Sequence, residues 1–170
     1  LEVAHRRGIA HRDIKPANII MEELRDGSVS PRVIDFGIAK VVAVTEMPSS
    51  GSTRTTSTRR MYTPRYAAPE QVTGMRTGPR TDVYALALVL LETIMGRPVF
   101  ASDSDSRRAV MEANPPTPSK LGLDLEGWNA VLERALSPRA NERFADAGAF
   151  VRALEGSPEP SDEPARISGE

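Results

Sequence analysis

Residues 11–20 read HRDIKPANII, and this stretch decides how the rest of the chain is interpreted. It combines an imidazole, two cationic side chains, a carboxylate and a carboxamide before it turns apolar. Surface loops are often polar, but they rarely bring these groups together in such an order just ahead of a β-prone run. The function of the stretch therefore depends on what the remaining sequence places next to it.

The composition is that of an ordinary globular domain. The chain has 170 residues, 39% hydrophobic and 26% charged, and a domain of this length buries roughly 70% of its unfolded surface. A net charge of −1 predicts neither nucleic-acid binding nor attraction to an anionic membrane. The absence of cysteine excludes disulfides and thiolate metal sites and is typical of a reducing compartment, so we expect a cytoplasmic protein. The longest apolar run, VYALALVLL at 83–91, is far shorter than the ~20 residues of a membrane span.

The two ends of the chain differ from its middle. LEVAHRRG, residues 1–8, is helix-like and stops at a glycine suited to a helix terminus. No signal peptide opens the chain. Because its first residue is Leu1 rather than Met, and LEVAHRRG is like the end of a helix already under way, we expect its start to be a cut within a longer protein. Beyond Gly156 the sequence is Pro, Ser and acid. We predict one domain over residues 1–155 and a loose tail or linker over residues 156–170.

The middle of the sequence predicts a β-hairpin followed by helices. IIM at 19–21 and RVIDF at 32–36 are β-prone, and Asp26–Gly27 between them is a hairpin signal. Residues 45–65 are rich in Ser, Thr and Arg and predict a long exposed loop. The helical patterns comprise a helix starting near Pro69, a buried helix capped by Thr81 and ending near Gly96, and helices at about 103–113, 125–136 and 141–154. The predicted fold class is α+β and mainly α.

The predicted hairpin indicates which chemistry residues 11–18 could carry out. Its far end returns beside its start, so Asn18 and Asp35 should converge as two oxygen ligands with no Cys or His nearby. Mg²⁺ prefers such oxygens and typically completes its octahedron with substrate phosphates and water. Asp13 is then left to accept a proton from a hydroxyl, and Lys15 to neutralise charge on a transferred phosphoryl group. These residues together predict phosphoryl transfer.

Two motifs in this region resemble those of the protein kinases. HRDIKPAN at 11–18 and DFG at 35–37 are similar to the catalytic loop and the metal-binding motif of that family. AAPE at 67–70 resembles the motif that closes the activation segment. The likeness runs in family order from Leu1 to Leu154, and it implies the mostly helical carboxyl-terminal lobe of a kinase, with a short β-hairpin at the cleft.

The resemblance also implies structural roles for several residues. Asp82 resembles the acid that opens the buried central helix, and Arg143 the arginine that pairs with the glutamate of the closing motif, here Glu70. His11 is similar to a histidine that packs on the phenylalanine of DFG, here Phe36. Arg12 resembles the arginine that holds a phosphorylated activation loop.

The functional roles follow from the same resemblance. Asp13 would be the catalytic base and Lys15 the second catalytic residue. Asn18 and Asp35 would bind Mg²⁺, or Mn²⁺ in its place, and together with Lys15 would bind ATP. Lys15 and Thr63 are similar to the two residues that flank the catalytic acid in serine/threonine kinases. Thr63 would form part of the substrate platform. The sequences HRRGIAHRDIKPANI and AAPEQ resemble those of bacterial kinases of this group. The resemblance to protein kinases implies ATP and a protein substrate as partners.

The loop ahead of Thr63 carries many hydroxyls. One interpretation is a polar loop alone, and the other is an activation loop that is phosphorylated and then orders on Arg12. We predict a phosphorylation site among Thr53 to Thr58. Tyr62 stands where the family usually carries a glycine, which affects the expected peptide specificity more than catalysis. Ser137 stands where such kinases often have an aspartate.

Half of the expected kinase site is missing from the sequence. There is no G-x-G-x-x-G and nothing like V-A-I-K, so we expect the amino-terminal lobe of the same protein to be a missing partner. The face that meets that lobe should be partly exposed and apolar. The chain alone should therefore turn over little ATP. The alternatives are a natural half-kinase that acts as a non-catalytic binding module, and a kinase of small molecules, which the Thr63 and AAPE platform disfavours.

Overall fold

A computed structural model describes residues 1–36 and 62–157 of the chain. The helices are α1 (Glu2–Arg6), α2 (Pro69–Thr73), α3 (Pro79–Met95), α4 (Asp103–Met111), α5 (Trp128–Ala135) and α6 (Ala147–Glu155), and the strands are β1 (Ile19–Glu23) and β2 (Val29–Val33). Short 3-10 turns cover Pro16–Asn18, Pro64–Tyr66, Ser119–Leu121 and Ala140–Glu142. This order confirms the predicted α+β, mainly α, class.

Some of the predicted features cannot be compared with the fold. Most of the predicted loop at 45–65, the predicted phosphorylation sites at 53–58 and the predicted tail from residue 158 lie outside the described residues. Within the described ranges, no helix combines the length and the apolar character needed to cross a bilayer.

The predicted hairpin is present, with different strand ends. β1 and β2 are antiparallel, with Ile19 opposite Val33, and Gly27 takes φ +80° in the turn between them. The second strand was predicted to reach residue 36, but it ends at Val33 because Asp35 takes a left-handed φ of 57° that breaks the extended backbone. The hairpin therefore ends two residues before Asp35, the residue predicted to bind metal.

The hydrophobic core surrounds α3. This helix buries Val83, Leu88 and Leu91 against the neighbouring helices, whose contributions include Leu132 of α5 and Phe150 of α6. Apolar residues at three- and four-residue spacing on α5 and α6 account for this packing. Because α3 contacts both later helices and the turn at Pro64–Tyr66, its first turn is held firmly in place.

Three predicted helix starts were wrong, and one of them is that of α5, which was predicted near residue 125 and begins at Trp128. α3 begins at Pro79, and Thr81 is its third residue, where its Oγ1 accepts the Gly78 N–H at 3.0 Å. Proline, which lacks an N–H and has a fixed φ, is favoured at the first helical position and moves the start two residues upstream. The helix predicted from residue 141 begins instead at Ala147, where the Asp146 carboxylate accepts the Ala149 N–H at 2.8 Å.

A buried ion pair joins α2 to the segment that precedes α6. The Arg143 guanidinium donates to both carboxylate oxygens of Glu70, at 2.9 and 3.0 Å, and only 1% of Arg143 is exposed. Its remaining N–H groups donate to the carbonyls of Ser137, Pro138 and Arg80. All of its N–H donors are therefore satisfied, which is the condition under which such a burial is tolerated. The sequence prediction paired these same two side chains.

Substitution of Arg143 by methionine should be strongly destabilising. The change leaves the Glu70 carboxylate buried without its cation, and breaking such a pair costs about 3–5 kcal/mol of the free energy of unfolding. Urea unfolding of the chain measures this loss. Arg139→Met is the matched control, because Arg139 forms an exposed ion pair with Glu142 at 3.0 Å and should shift the midpoint little. Equal midpoint shifts for the two variants would contradict the assignment.

Candidate active site

The Asp82 carboxylate holds the segment His11–Asp13 in position. Its Oδ2 accepts the His11 N–H at 2.6 Å, and its Oδ1 accepts the Arg12 N–H at 2.7 Å. Arg12 takes a left-handed φ of 66°, a conformation that costs a residue other than glycine roughly 1–2 kcal/mol. Because the carboxylate bonds to both amides of this turn, it stabilises a backbone shape that the local sequence does not favour. Asp82 itself is 1% exposed and lies in the first turn of α3.

His5 is the third donor to Asp82, and the sequence analysis gave it no role. Its Nδ1 accepts the Ala147 N–H at 3.1 Å, so Nε2 carries the proton and donates to Asp82 at 2.9 Å. The ring thereby links α1, α3 and the start of α6. No local pattern marks this histidine, because its partners lie far away along the chain.

Gln71 is a second residue that the motif analysis missed. Its Nε2 donates to the Arg12 carbonyl at 2.8 Å, and its Oε1 accepts the Ala68 N–H at 3.0 Å. The side chain connects the closing motif at 67–70 with the left-handed turn at Arg12. The glutamine in AAPEQ was noted only as part of a family-like string, and nothing in its neighbours predicts this contact.

Asp13, Lys15 and Thr63 form a compact triangle. Asp13 Oδ1 accepts both the backbone N–H and the hydroxyl of Thr63, each at 3.1 Å. Lys15 Nζ lies 3.1 Å from Asp13 Oδ2 and donates to Thr63 Oγ1 at 3.0 Å. The side chains of Asp13 and Lys15 remain 15% and 26% exposed, so the carboxylate is fixed in direction and still accessible. Such a group can orient a hydroxyl and accept its proton.

The turn that carries Thr63 is fixed by two hydrogen bonds to helices. Tyr66 donates its hydroxyl to Glu92 Oε2 of α3 at 2.7 Å, and Ser106 of α4 donates to the Pro64 carbonyl at 2.8 Å. Burial, together with the Glu92 carboxylate, raises the pKa of Tyr66 to about 12. The phenol therefore keeps its proton at neutral pH and remains a donor. The residues directly after Thr63 are thus attached to both α3 and α4.

Asn18 and Asp35 lie at the same end of the hairpin. The Ile34 N–H donates to the Asn18 carbonyl at 2.9 Å, so Asp35 is one residue beyond the partner of Asn18. Asn18 is buried and donates its Nδ2 to the Asp13 carbonyl at 2.8 Å, which leaves its Oδ1 as an acceptor. The Asp35 side chain is exposed and forms no hydrogen bond or ion pair with another described residue.

These two oxygen donors fit a hard cation. Mg²⁺ is usually bound by one or two protein ligands plus phosphates and water rather than by an all-protein cage. Within residues 1–36 and 62–157, no group of three or more His, Cys, Asp or Glu forms such a cage. The left-handed φ of Asp35 is also of the kind found where strain accompanies function.

His11 connects the loop to the end of the hairpin. Its Nε2 donates to the Ile34 carbonyl at 2.8 Å, its Nδ1 accepts the Asp13 N–H at 3.2 Å, and its ring lies 4.9 Å from the Phe36 ring. The structure thus brings together the histidine and phenylalanine that were predicted to pack. Because His11 is fully buried, its role in this geometry is structural.

The guanidinium group of Arg12 has a buried donor without an acceptor in the part of the chain that the structure describes. Its Nε is buried and has no hydrogen-bond partner among the described residues. A buried donor without an acceptor is costly, so this position favours an anion as its partner. The prediction that Arg12 holds a phosphorylated loop concerns residues 53–58, which lie outside the described ranges.

The sequence and the fold are both similar to those of protein kinases. A family model described as protein kinase domain matches residues 1–145. The chain is 36% identical over 170 residues to serine/threonine-protein kinase PknA of Mycobacterium tuberculosis, covering 96% of this chain and 37% of PknA. It is also 36% identical over 154 residues to probable serine/threonine-protein kinase PknB of Bifidobacterium longum, covering 88% of this chain and 21% of that protein.

A solved structure shares the fold. The crystal structure of the kinase domain of PknI from Mycobacterium tuberculosis matches with a TM-score of 0.61 at 30% identity, covering 90% of this chain and 48% of that chain. The chain therefore spans less than half the length of each of these proteins.

Substitution of Asp82 by asparagine should loosen the segment His11–Asp13. Three donors share the Asp82 carboxylate, and asparagine would replace one of its acceptor oxygens by an NH₂ group. At least one buried donor would then face another donor, which should cost about 2–4 kcal/mol of the free energy of unfolding. Hydrogen exchange at the amides of His11 and Arg12 should accelerate, and amide-resolved exchange measures this.

Asp146→Asn provides the matched control for this variant. Asparagine caps a helix about as well as aspartate does, so the start of α6 should keep its stability and its exchange rates. Unchanged exchange at His11 and Arg12 in the Asp82 variant would contradict the role given to its carboxylate.

Proposed function

This chain belongs to the protein kinase family, and we propose from that premise that it forms the phosphoacceptor side of an ATP-dependent serine/threonine protein kinase. The single observation that carries the proposal is the accessible Asp13 carboxylate, bonded to Thr63 on one oxygen and lying beside Lys15 on the other. The similarity to serine/threonine-protein kinases supports the same class of acceptor. We assign the protein to the cytoplasm, where ATP is available.

The proposed reaction uses these residues in distinct roles. A substrate hydroxyl bonds to Asp13, its oxygen attacks the γ-phosphorus of ATP, the bond between that phosphorus and the ADP oxygen breaks, and the hydroxyl proton passes to Asp13. Lys15 neutralises negative charge on the phosphoryl group as it is transferred. Thr63 fixes the direction of the carboxylate through its N–H and hydroxyl. The hydroxyl acceptor therefore meets a base whose orientation is already set.

The metal and the nucleotide would be held at the base of the hairpin. Asn18 through its Oδ1 and Asp35 through its carboxylate are the proposed ligands of Mg²⁺, with Mn²⁺ as an alternative. The ion would supply charge neutralisation between the β- and γ-phosphates. The amide nitrogen of Asn18, bonded to the Asp13 carbonyl, keeps its oxygen turned away from the catalytic loop.

Part of the proposed site comes from outside these 170 residues. The sequence contains no G-x-G-x-x-G and nothing like V-A-I-K to hold the phosphates, so we assign these parts to an amino-terminal lobe of the same protein. The hairpin supports this assignment, because Ile20 and Met21 are 45% and 65% exposed on it. The alternative, a binding module that does not transfer phosphate, has no physical need for all of Asp13, Lys15, Asn18 and Asp35.

We further propose that phosphorylation regulates the site. A phosphate on one residue of the segment 53–58 would accept the buried, unsatisfied Nε–H of Arg12 and its neighbouring N–H groups. Mapping of the phosphopeptides tests this proposal, and sites found only outside that segment would overturn it.

Substitution of Asp13 by asparagine in the full-length protein should lower phosphoryl transfer by about 10²–10⁴-fold, because the amide cannot accept the hydroxyl proton. Transfer of labelled γ-phosphate to a Ser/Thr protein substrate measures the effect. Asp26→Asn is the matched control, since Asp26 accepts from Ser28 in the hairpin turn and asparagine preserves that bond. Transfer that survives the Asp13 substitution would overturn the proposed base, and absence of transfer in the wild type would favour the binding module.

The 170-residue chain on its own should bind ATP weakly and transfer little phosphate. Without a lysine and a glycine-rich loop over the phosphates, the triphosphate loses much of its charge neutralisation. Titration calorimetry with Mg²⁺–ATP measures the affinity, and the full-length protein serves as the reference. Equal affinity in the two proteins would show that the site needs no second lobe.

A further inference from the structure

A cavity opens beside the proposed phosphoacceptor site and has no role in the reaction described above. It encloses about 340 Å³ and is lined by Tyr62, Pro64, Val72 and Arg107. Tyr62 and Pro64 are the two neighbours of Thr63, which bonds to Asp13. The cavity therefore lies within a few residues' reach of a hydroxyl bound at Asp13, since an extended chain spans about 3.3–3.6 Å per residue.

Helix α4 holds one wall of this cavity in a fixed position. Ser106 is buried and donates its hydroxyl to the Pro64 carbonyl at 2.8 Å, and its oxygen lies 3.5 Å from the Arg65 carbonyl. The helix is thereby attached to the turn that follows Thr63. Arg107 is the next residue of the helix, so the position of its backbone relative to Thr63 is set by this attachment.

Among the described residues that line the cavity, Arg107 alone is charged. Arg107 is exposed and forms no hydrogen bond or ion pair with any other described residue. Pro64, Val72 and the ring of Tyr62 supply carbon surface around it. A guanidinium beside apolar walls suits a ligand with a short aliphatic stem and a carboxylate end, because arginine can bind both carboxylate oxygens at once.

We propose that this cavity binds an acidic side chain of the protein substrate, glutamate or aspartate, within three residues of the phosphorylated Ser or Thr. Arg107 binds the carboxylate, and Val72 and Pro64 contact the methylene groups of the stem. The assignment rests on the proposed kinase function and adds a determinant of substrate choice to it. It also gives Tyr62 a function as a wall of the specificity site, in the position where the family usually has glycine.

The test compares peptides on the full-length protein. Each peptide carries one acceptor Ser, and Glu, Gln, Lys or Leu is placed in turn at each position from −3 to +3. The wild type should favour Glu over Gln at one of these positions by about threefold to tenfold in kcat/KM, as expected for a partly exposed charge pair. Arg107→Glu should reverse the order at that position, so that Lys is preferred over Glu.

Arg108→Glu is the matched control. Arg108 is the next residue of α4, is exposed and does not line the cavity, so the variant has the same change in net charge. It should keep the wild-type preference. If both variants lose the preference equally, a general electrostatic field rather than the cavity sets it, and the proposal fails.

The remaining outcomes are also decisive. A wild-type preference for Leu over Glu, or no preference at any position, would show that the cavity binds no carboxylate. An Arg107→Glu variant whose kcat/KM changes by the same factor on every peptide would show that Arg107 does not discriminate among substrate side chains, which overturns the proposal. Absence of transfer to any peptide by the wild-type protein would overturn the kinase function itself, which is a separate failure.

Discussion

The geometry of this site depends on one buried carboxylate. Asp82 accepts the amide protons of His11 and Arg12 and the Nε2 proton of His5, so a single side chain in the first turn of α3 holds α1 and the segment His11–Asp13 together. A buried carboxylate is tolerated only when it is well hydrogen-bonded, and Asp82 has three such donors. The same requirement fixes the loop, because its left-handed turn supplies two of the donors.

Further contacts build outward from this carboxylate. Gln71 bonds to the carbonyl of Arg12, which joins the loop to α2, and Glu70 on the same helix is paired with the fully bonded Arg143. Thr63, on the segment between the loop and α2, then meets Asp13 in a defined direction. Each of these polar side chains has its partner on a different element, so hydrogen bonds connect the site although most of its residues lie on loops and helix ends.

The sequence predicted the parts of this arrangement that local patterns or family motifs encode. The hairpin followed from a turn pair between β-prone runs, and the contacts His11–Phe36 and Glu70–Arg143 followed from the resemblance to kinases. His5, Gln71 and Ser106 were missed, because each bonds to a partner that no short pattern indicates. Thr81 was taken for a helix cap because it precedes an apolar run, whereas Pro79 fixes the start and the Thr81 hydroxyl donates to Glu70 at 2.7 Å. The end of β2 depends on the left-handed φ of Asp35, which the amino-acid sequence alone does not indicate.

The distance along the chain between the loop and Asp82 has a consequence for how the protein is made. Arg12 and Asp82 are 70 residues apart, and His5 and Ala147 are 142 apart. At a synthesis rate of about 5–20 residues per second, Arg12 would be made roughly 4–14 seconds before Asp82. During that interval the left-handed turn at Arg12 lacks the Asp82 carboxylate that stabilises it, and the contacts of highest sequence separation form last. The segment His11–Asp13 therefore reaches the geometry described here only late in folding, after the residues that hold it have been made.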